Sequence, residues 1–105
     1  MEIRTNEQIF DFVLKIAEYY KIENCSNYDF YSRNELIEKI KEKNENAAKY
    51  LKEFLSESSM YQLIKHDMEM KIKAPEIWNE QIEYRKRKVE LLLQNLLEEV
   101  RLSQC

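Results

Sequence analysis

Hydrophobic residues recur at steps of three and four along much of the chain, which is the spacing of one face of an α-helix. This periodicity predicts four helices, over residues 6–22, 33–43, 46–57 and 75–103. Apolar side chains surround most of the first helix, so its polar strip is narrow and consists of Asp11, Lys15 and Glu18. A helix with so little polar surface is expected at the centre of the hydrophobic core.

Capping residues mark where these helices begin. A Thr-x-x-Gln capping box at Thr5 precedes the first helix, and a Ser-x-x-Glu box at Ser32 precedes the second. The asparagines of "KNEN", residues 43–46, separate the second helix from the third. Pro75 suits the first turn of the last helix, because the N–H that proline lacks would have no hydrogen-bond acceptor within the helix at that position.

The segment 58–75 is the most ambiguous part of the chain. Hydrophobic and charged residues alternate over 68–73, and this period of two favours a strand. Residues 60–65 would supply the paired strand, with the turn at His66 and Asp67. The sequence therefore predicts a short β-hairpin here, while a helix remains the alternative.

The last helix carries hydrophobic residues on two sides. The main stripe consists of Trp78, Ile82, Val89, Leu92, Leu93, Leu96, Leu97 and Val100. On nearly the opposite side lies a second set, Ile77, Tyr84, Leu91 and Leu102. A helix that only covers its own domain needs one apolar side, so the second set predicts contact with another copy of the chain or with a different protein. Arg85 is assigned to the same predicted interface.

The composition is that of one small globular domain. The chain has 105 residues, and 44% of them are hydrophobic, which is enough for a single core. It contains no glycine, which excludes glycine-rich phosphate-binding loops and disfavours tight hairpins. The net charge of −3 is mild and neither requires nor forbids binding to nucleic acid.

The sequence predicts a cytoplasmic protein. No stretch has the roughly 20 apolar residues of a membrane span, and the first residues do not resemble a secretion signal. If a phage or virus encodes the chain, the compartment would be the host cytoplasm. Cys25 and Cys105 are expected to be free thiols, with a disulfide between two molecules through Cys105 as the alternative.

No residue pattern indicates an enzyme or a metal site. A structural zinc site uses about four ligands at recognisable spacing, whereas this chain has two cysteines and one histidine. Cys25 and His66 are the only candidate nucleophile and base, and no third residue is available to orient them. A non-enzymatic protein without cofactor or metal is therefore predicted.

The order of the predicted elements resembles that of winged helix-turn-helix regulators of the PadR-like and ArsR-like type. The apolar spacing of the second and third helices is similar to that of the family's two-helix core, at Leu36, Ile40, Ala47, Leu51 and Phe54. The resemblance implies a mainly α fold, with a helix-turn-helix-like core and possible wing in residues 1–74 and a dimerisation helix in residues 75–105. An all-α helical bundle is the alternative fold.

The resemblance also implies a set of contacts with double-stranded DNA. The third helix would enter the major groove, and its contacting residues would be Asn46, Lys49, Lys52 and Ser56. On the wing, phosphate contacts would come from Lys65, His66, Lys71 and Lys73. The alternative is an ordinary solvated surface, which the nearby acidic residues Glu45 and Glu53 favour.

The basic run "YRKRK", residues 84–88, is the strongest local concentration of charge. Consecutive residues of a helix point to all sides, so this run cannot form one continuous basic stripe. Glutamates lie within a turn of it, and ion pairing is therefore expected in preference to nucleic-acid binding.

Two functions follow from these patterns. The first is a DNA-binding transcriptional regulator that acts as a homodimer. The second is a small helical protein–protein interaction module, such as a phage-type inhibitor or immunity protein that blocks a larger partner. The seven tyrosines and the surplus apolar stripe favour the second function. A subunit of a larger nucleoprotein assembly is a weaker third possibility.

Overall fold

A computed structural model describes residues 6–23 and 31–102 of the chain. This part contains helices α1 (Asn6–Tyr19), α2 (Arg33–Lys43), α3 (Glu45–Lys65), α4 (Met68–Lys73) and α5 (Pro75–Leu102), and no strand. The prediction of a mainly α fold is confirmed. The predicted bounds of α2 are those observed, α5 agrees to its last turn, and α1 ends earlier than predicted.

A lysine ends α1. Lys21 takes a left-handed backbone conformation, with φ of 56°. Its N–H donates to the carbonyl of Glu18, and the N–H of Ile22 donates to that of Ala17. These two bonds form a Schellman motif, which glycine usually occupies at the left-handed position. Since the chain has no glycine, Lys21 adopts a conformation that costs roughly 1 kcal/mol, and the burial of Ile22 offsets that cost.

Polar caps fix the elbow between α2 and α3. The capping box of Ser32 and Glu35 is present at the start of α2, as predicted. Asn44 ends α2 and caps α3, because its side-chain Oδ1 accepts the N–H of Ala47 at 3.1 Å. Its amide Nδ2 also donates to Tyr20 Oη at 3.2 Å and to Glu99 Oε1 at 3.1 Å. One asparagine thus joins the end of α1, the elbow and the last helix. The predicted Thr5 cap lies outside the described residues.

The prediction of a hairpin within residues 58–75 is wrong. Residues 60–65 form the last turns of α3, and residues 68–73 form α4. Asp67 restarts the helix by accepting the N–H of Met70 at 3.0 Å, so the presumed hairpin turn is a junction between two helices. A lone hairpin without a neighbouring sheet is marginal, whereas Met, Leu, Lys and Gln are good helix formers. The wing that the resemblance implied is therefore absent from the part of the chain that the structure describes.

A tryptophan holds the α3–α4–α5 connection together. Trp78, in the first turns of α5, donates from Nε1 to the carbonyl of Ile64 at 2.8 Å. The ammonium of Lys71 lies 5.1 Å from the centre of the same ring. These contacts fold α4 back against α5, so that α3 and α5 run alongside each other.

One hydrophobic core includes residues from α1, α2, α3 and α5. Its most buried side chains are Val13, Ala17, Leu36, Ile40, Ala47, Leu51, Phe54 and Leu96. The centroids of the Phe12 and Phe54 rings lie 5.2 Å apart. Helix α5 contributes Leu92, Leu96 and Val100 to this core from its C-terminal half. The last helix is therefore part of the domain, not an arm attached to it.

Candidate protein-binding surface

The second apolar set of the last helix is exposed, as the sequence predicted. We call Ile77, Tyr84, Leu91 and Leu102 the α5 stripe. Each of the four side chains is 56–57% accessible to solvent. At about 100° per residue they fall within an arc of about 40°, centred about 120° from the arc of the buried Leu92, Leu96 and Val100. The described part of a single chain thus leaves this row uncovered.

Polar residues border and interrupt the α5 stripe. Between its members lie Gln81, Lys88, Asn95 and Glu98. Along one margin, seven residues apart, lie Glu80, Arg87, Gln94 and Arg101. An apolar row with a polar margin is the usual anatomy of a protein–protein interface.

Arg85 does not belong to this exposed row. Its Nη1 lies 2.7 Å from Oε2 of Glu57 on α3, and the Nζ of Lys88 lies 3.1 Å from the other oxygen of the same carboxylate. Arg85 is largely buried, and its Nε has no hydrogen-bond partner in the described structure. The guanidinium also lies 5.6 Å from the centre of the Tyr84 ring. Arg85 is therefore less exposed than the α5 stripe: it joins α5 to α3 and contacts the Tyr84 ring, and its assignment to the interface stays a prediction.

The acidic partner of this cluster has a shifted pKa. Desolvation raises the pKa of the Glu57 carboxyl group. The hydrogen bonds from Arg85 and Lys88, together with their positive charges, outweigh desolvation and leave the pKa below its ordinary value. Glu57 is thus ionised at neutral pH and stabilises the packing of α5 on α3. Sequence reasoning missed this residue, because it looked for ion pairs within a turn of the basic run.

The residues predicted to contact DNA do share the outer face of α3. Asn46, Lys49, Lys52 and Ser56 are all exposed. The Nζ of Lys52 lies 3.3 Å from Oε1 of Glu38 on α2. The acidic Glu53 stands among these residues, and the same face continues into the exposed hydrophobic residues Met60 and Leu63. The outer face of α3 therefore carries basic residues over only part of its length.

The residues assigned to the wing lie on helices and at helix ends instead. The ammonium of Lys65 lies 5.7 Å from the centre of the Tyr61 ring, that of Lys71 is over Trp78, and Lys73 pairs with Glu69 at 2.8 Å. His66 is the exposed C-cap of α3. Without a hairpin, the structure does not present these side chains as one strand edge.

Further hydrophobic side chains are exposed around α4, which has no buried residue. Leu63 is 68% accessible, Met68 58% and Ile72 75%. The predicted hairpin had assigned them to two paired strands. These exposed side chains could be predicted from the sequence only if residues 60–73 were assigned to helices.

An apolar groove separates α1 from α5. Its volume is about 660 Å³, and it is lined by Phe12, Ile16, Tyr19, Leu93, Leu97 and Val100, with polar residues at the rim. It is open to solvent, which explains why Leu97, assigned to the main stripe of α5, is half exposed. This groove lies on a different side of α5 from the α5 stripe.

The described residues do not assemble a metal site. No cluster of three or more His, Cys, Asp or Glu side chains suited to a metal occurs among them. Cys25, half of the only candidate catalytic pair, lies outside the described residues, as does Cys105. Nor does any helix in the described ranges combine the length and hydropathy needed to cross a bilayer.

No family model, curated protein or solved structure matches the chain. The resemblance to winged helix-turn-helix regulators therefore stays a prediction that rests on the order of elements and on the apolar spacing in α2 and α3.

Proposed function

We propose that the protein is a non-enzymatic helical module that binds protein through the α5 stripe. The observation that carries the proposal is the row of four hydrophobic side chains, each more than half exposed, on a helix that is anchored in the core through another of its sides. Partner binding is the simplest reason for such a row, because exposed hydrophobic side chains add no stability to an isolated domain. Blocking a larger protein is one form that this function could take.

The energetics and the rigidity of the surface support this proposal. Covering the exposed half of an Ile, Leu or Tyr side chain contributes about 1 kcal/mol, so the four together can drive association. Burial of Leu92 and Leu96 fixes the rotation of α5 about its axis. The stripe is therefore organised before binding, which lowers the entropic cost of complex formation.

Differential capture tests this function. A tagged protein is expected to retain a specific protein, whether its own untagged copy or another, and to lose it when Ile77→Glu and Leu91→Glu are combined. Leu97→Glu is the matched control, because Leu97 is equally exposed on the same helix but faces another direction. Helix content by circular dichroism must be the same in all three proteins. A set of bound proteins that the stripe variant leaves unchanged would contradict the proposal.

Double-stranded DNA is a second candidate ligand, favoured by one specific observation. Helices α2 and α3 are consecutive, joined at the single residue Asn44, and expose Asn46, Lys49 and Ser56 on the outer side of the second helix. This is the order of a helix-turn-helix pair, in which the second helix enters the major groove. In this reading α5 would pair two copies of a transcriptional regulator.

A mobility-shift titration across salt tests the second candidate. If α3 contacts phosphate, Lys49→Ala weakens binding to random duplex and reduces the slope of log K against log salt by about one. Lys41→Ala removes the same charge from an exposed site on α2 and serves as the control. An absence of any shift at low salt, or equal losses for the two variants, would eliminate DNA contact through α3.

A further inference from the structure

We infer that a second copy of this chain covers the α5 stripe, with the two α5 helices antiparallel and Ile77 of each copy against Leu102 of the other. This inference rests on the proposed protein-binding function and names its partner. It is carried by the order of hydrophobic and charged residues along the stripe.

The stripe is self-complementary when one copy is reversed. Its residues follow the spacing of a two-helix seam, in which Ile77, Tyr84, Leu91 and Glu98 alternate with Gln81, Lys88, Asn95 and Leu102. A two-fold axis near the middle of α5, between Val89 and Glu90, places Ile77 opposite Leu102. The same axis places Tyr84 opposite Asn95. The two ends of the interface then each contain a fully apolar pair.

Charges within the seam distinguish the two orientations. Parallel helices would place Lys88 against Lys88 and Glu98 against Glu98, and like charges in contact oppose association. In the antiparallel arrangement Lys88 faces Leu91, and Glu98 faces Gln81. Lys88 can offer its aliphatic stem to Leu91, because its ammonium is turned towards Glu57 at 3.1 Å.

Charges along the margin support the same orientation. In antiparallel pairs the positions that flank one side of the seam face each other across the interface. Glu80 of one copy then lies opposite Arg101 of the other, and the two-fold axis generates this ion pair twice. Among the residues that the structure describes, Arg101 pairs with Glu98 of its own chain at 3.9 Å, and both side chains are exposed. Arg101 is therefore available to a carboxylate of a second copy.

The residues of the seam and its margin together favour one register. A shift by seven residues moves Leu102 from Ile77 to Tyr84 and leaves Ile77 without a partner on the other helix. It also places Arg87 opposite Arg101 of the other copy, and these like charges oppose association. Polar residues inside a seam select register and orientation at some cost in stability. The stripe also lies about 120° from the core side of α5, so each domain stays on the outer side of the helix pair. With 28 residues, α5 offers a contact about 42 Å long.

Light scattering after size exclusion tests the dimer, and a charge swap tests its orientation. The wild-type protein is expected to be a dimer; Ile77→Glu weakens association more than about a hundredfold, because it places a carboxylate against Leu102 of the other copy. Glu80→Arg weakens association about tenfold, and the double variant Glu80→Arg with Arg101→Glu restores it. Leu97→Glu leaves the dimer intact.

Cross-linking gives an independent measure of orientation. In a background with Cys25→Ser and Cys105→Ser, one protein carries Ile77→Cys and another carries Leu102→Cys. A short bis-maleimide reagent is expected to link the two proteins when they are mixed and to link neither alone. Efficient linking of Ile77→Cys to itself would establish a parallel pair and overturn the inference.

The outcomes separate this inference from the proposed function. A wild-type protein that is monomeric up to about 100 µM overturns the dimer, while loss of a different bound protein in the stripe variant would leave the protein-binding function standing. Loss of the dimer with Leu97→Glu, but not with Ile77→Glu, would move the second copy to the α1–α5 groove and overturn both.

Discussion

Leu96→Ala is expected to lower the free energy of unfolding by about 2–5 kcal/mol, whereas Leu97→Ala is expected to lower it by about 1 kcal/mol or less. The two changes delete the same atoms from neighbouring residues of α5. Leu96 is fully buried in the core, while Leu97 is 51% exposed beside the α1–α5 groove. Leu96→Ala leaves a cavity among packed side chains, whereas Leu97→Ala shortens a side chain that is already half exposed to water.

Urea denaturation followed by helical circular dichroism measures this difference. The fluorescence of Trp78, the only tryptophan, reports separately on the α3–α4–α5 connection. All proteins should be compared at one concentration, since any dimer adds stability that depends on concentration. Equal losses for the two variants would show that α5 is not rotated as described, and the exposure of the α5 stripe would then have to be reassessed.

Local signals in the sequence predicted the bounds of α2 and the start of α5 well. The Ser32 capping box and Pro75 act within one turn of the residues that they organise, so their effect can be read without knowing the rest of the fold. The end of α1 was misplaced because its stop signal is Lys21, a residue that seldom adopts the left-handed conformation. The only indication in the sequence is the absence of glycine, which means that another residue must take the left-handed conformation at the end of the helix.

The hairpin error has a physical cause that the alternation over residues 68–73 conceals. A period of two indicates a strand only if one face is buried against something. Here Met68 and Ile72 are exposed, so the alternation buries no face, and helix propensity together with the Asp67 cap decides the conformation. The same error hid the length of α3, which continues to Lys65.

The candidate surface was predicted in part, and the difference lies in tertiary contacts. Helical spacing alone places Ile77, Tyr84 and Leu91 on one side of α5, and the structure leaves that side uncovered. The contact of Arg85 with Glu57 was missed because Glu57 lies on another helix and 28 positions away. No periodicity in α5 could reveal that contact. Asn44 was likewise recognised as a cap but not as the junction of three helices.

Glu57→Gln is expected to lower the free energy of unfolding by about 1–3 kcal/mol at pH 7, because it leaves Arg85 largely buried without a carboxylate. The change preserves the shape of the side chain and removes only its charge. Since the folded pKa of Glu57 is lowered, the unfolded state binds more protons between the folded and unfolded pKa values, and stability rises with pH there. The contribution of Glu57 is complete above the ordinary carboxyl pKa of about 4.3 and is lost as the pH falls through the lowered value.

The stability difference between wild type and Glu57→Gln should therefore be largest near neutral pH and should shrink as the pH falls below about 4. Urea denaturation of both proteins at several pH values measures it, and titrations common to both cancel in the difference. Glu53→Gln, an exposed change one turn earlier on α3, should alter stability by less than about 0.5 kcal/mol at every pH. A difference for Glu57→Gln that stays constant down to pH 3 would mean that the ion pair with Arg85 and Lys88 does not hold α5 against α3.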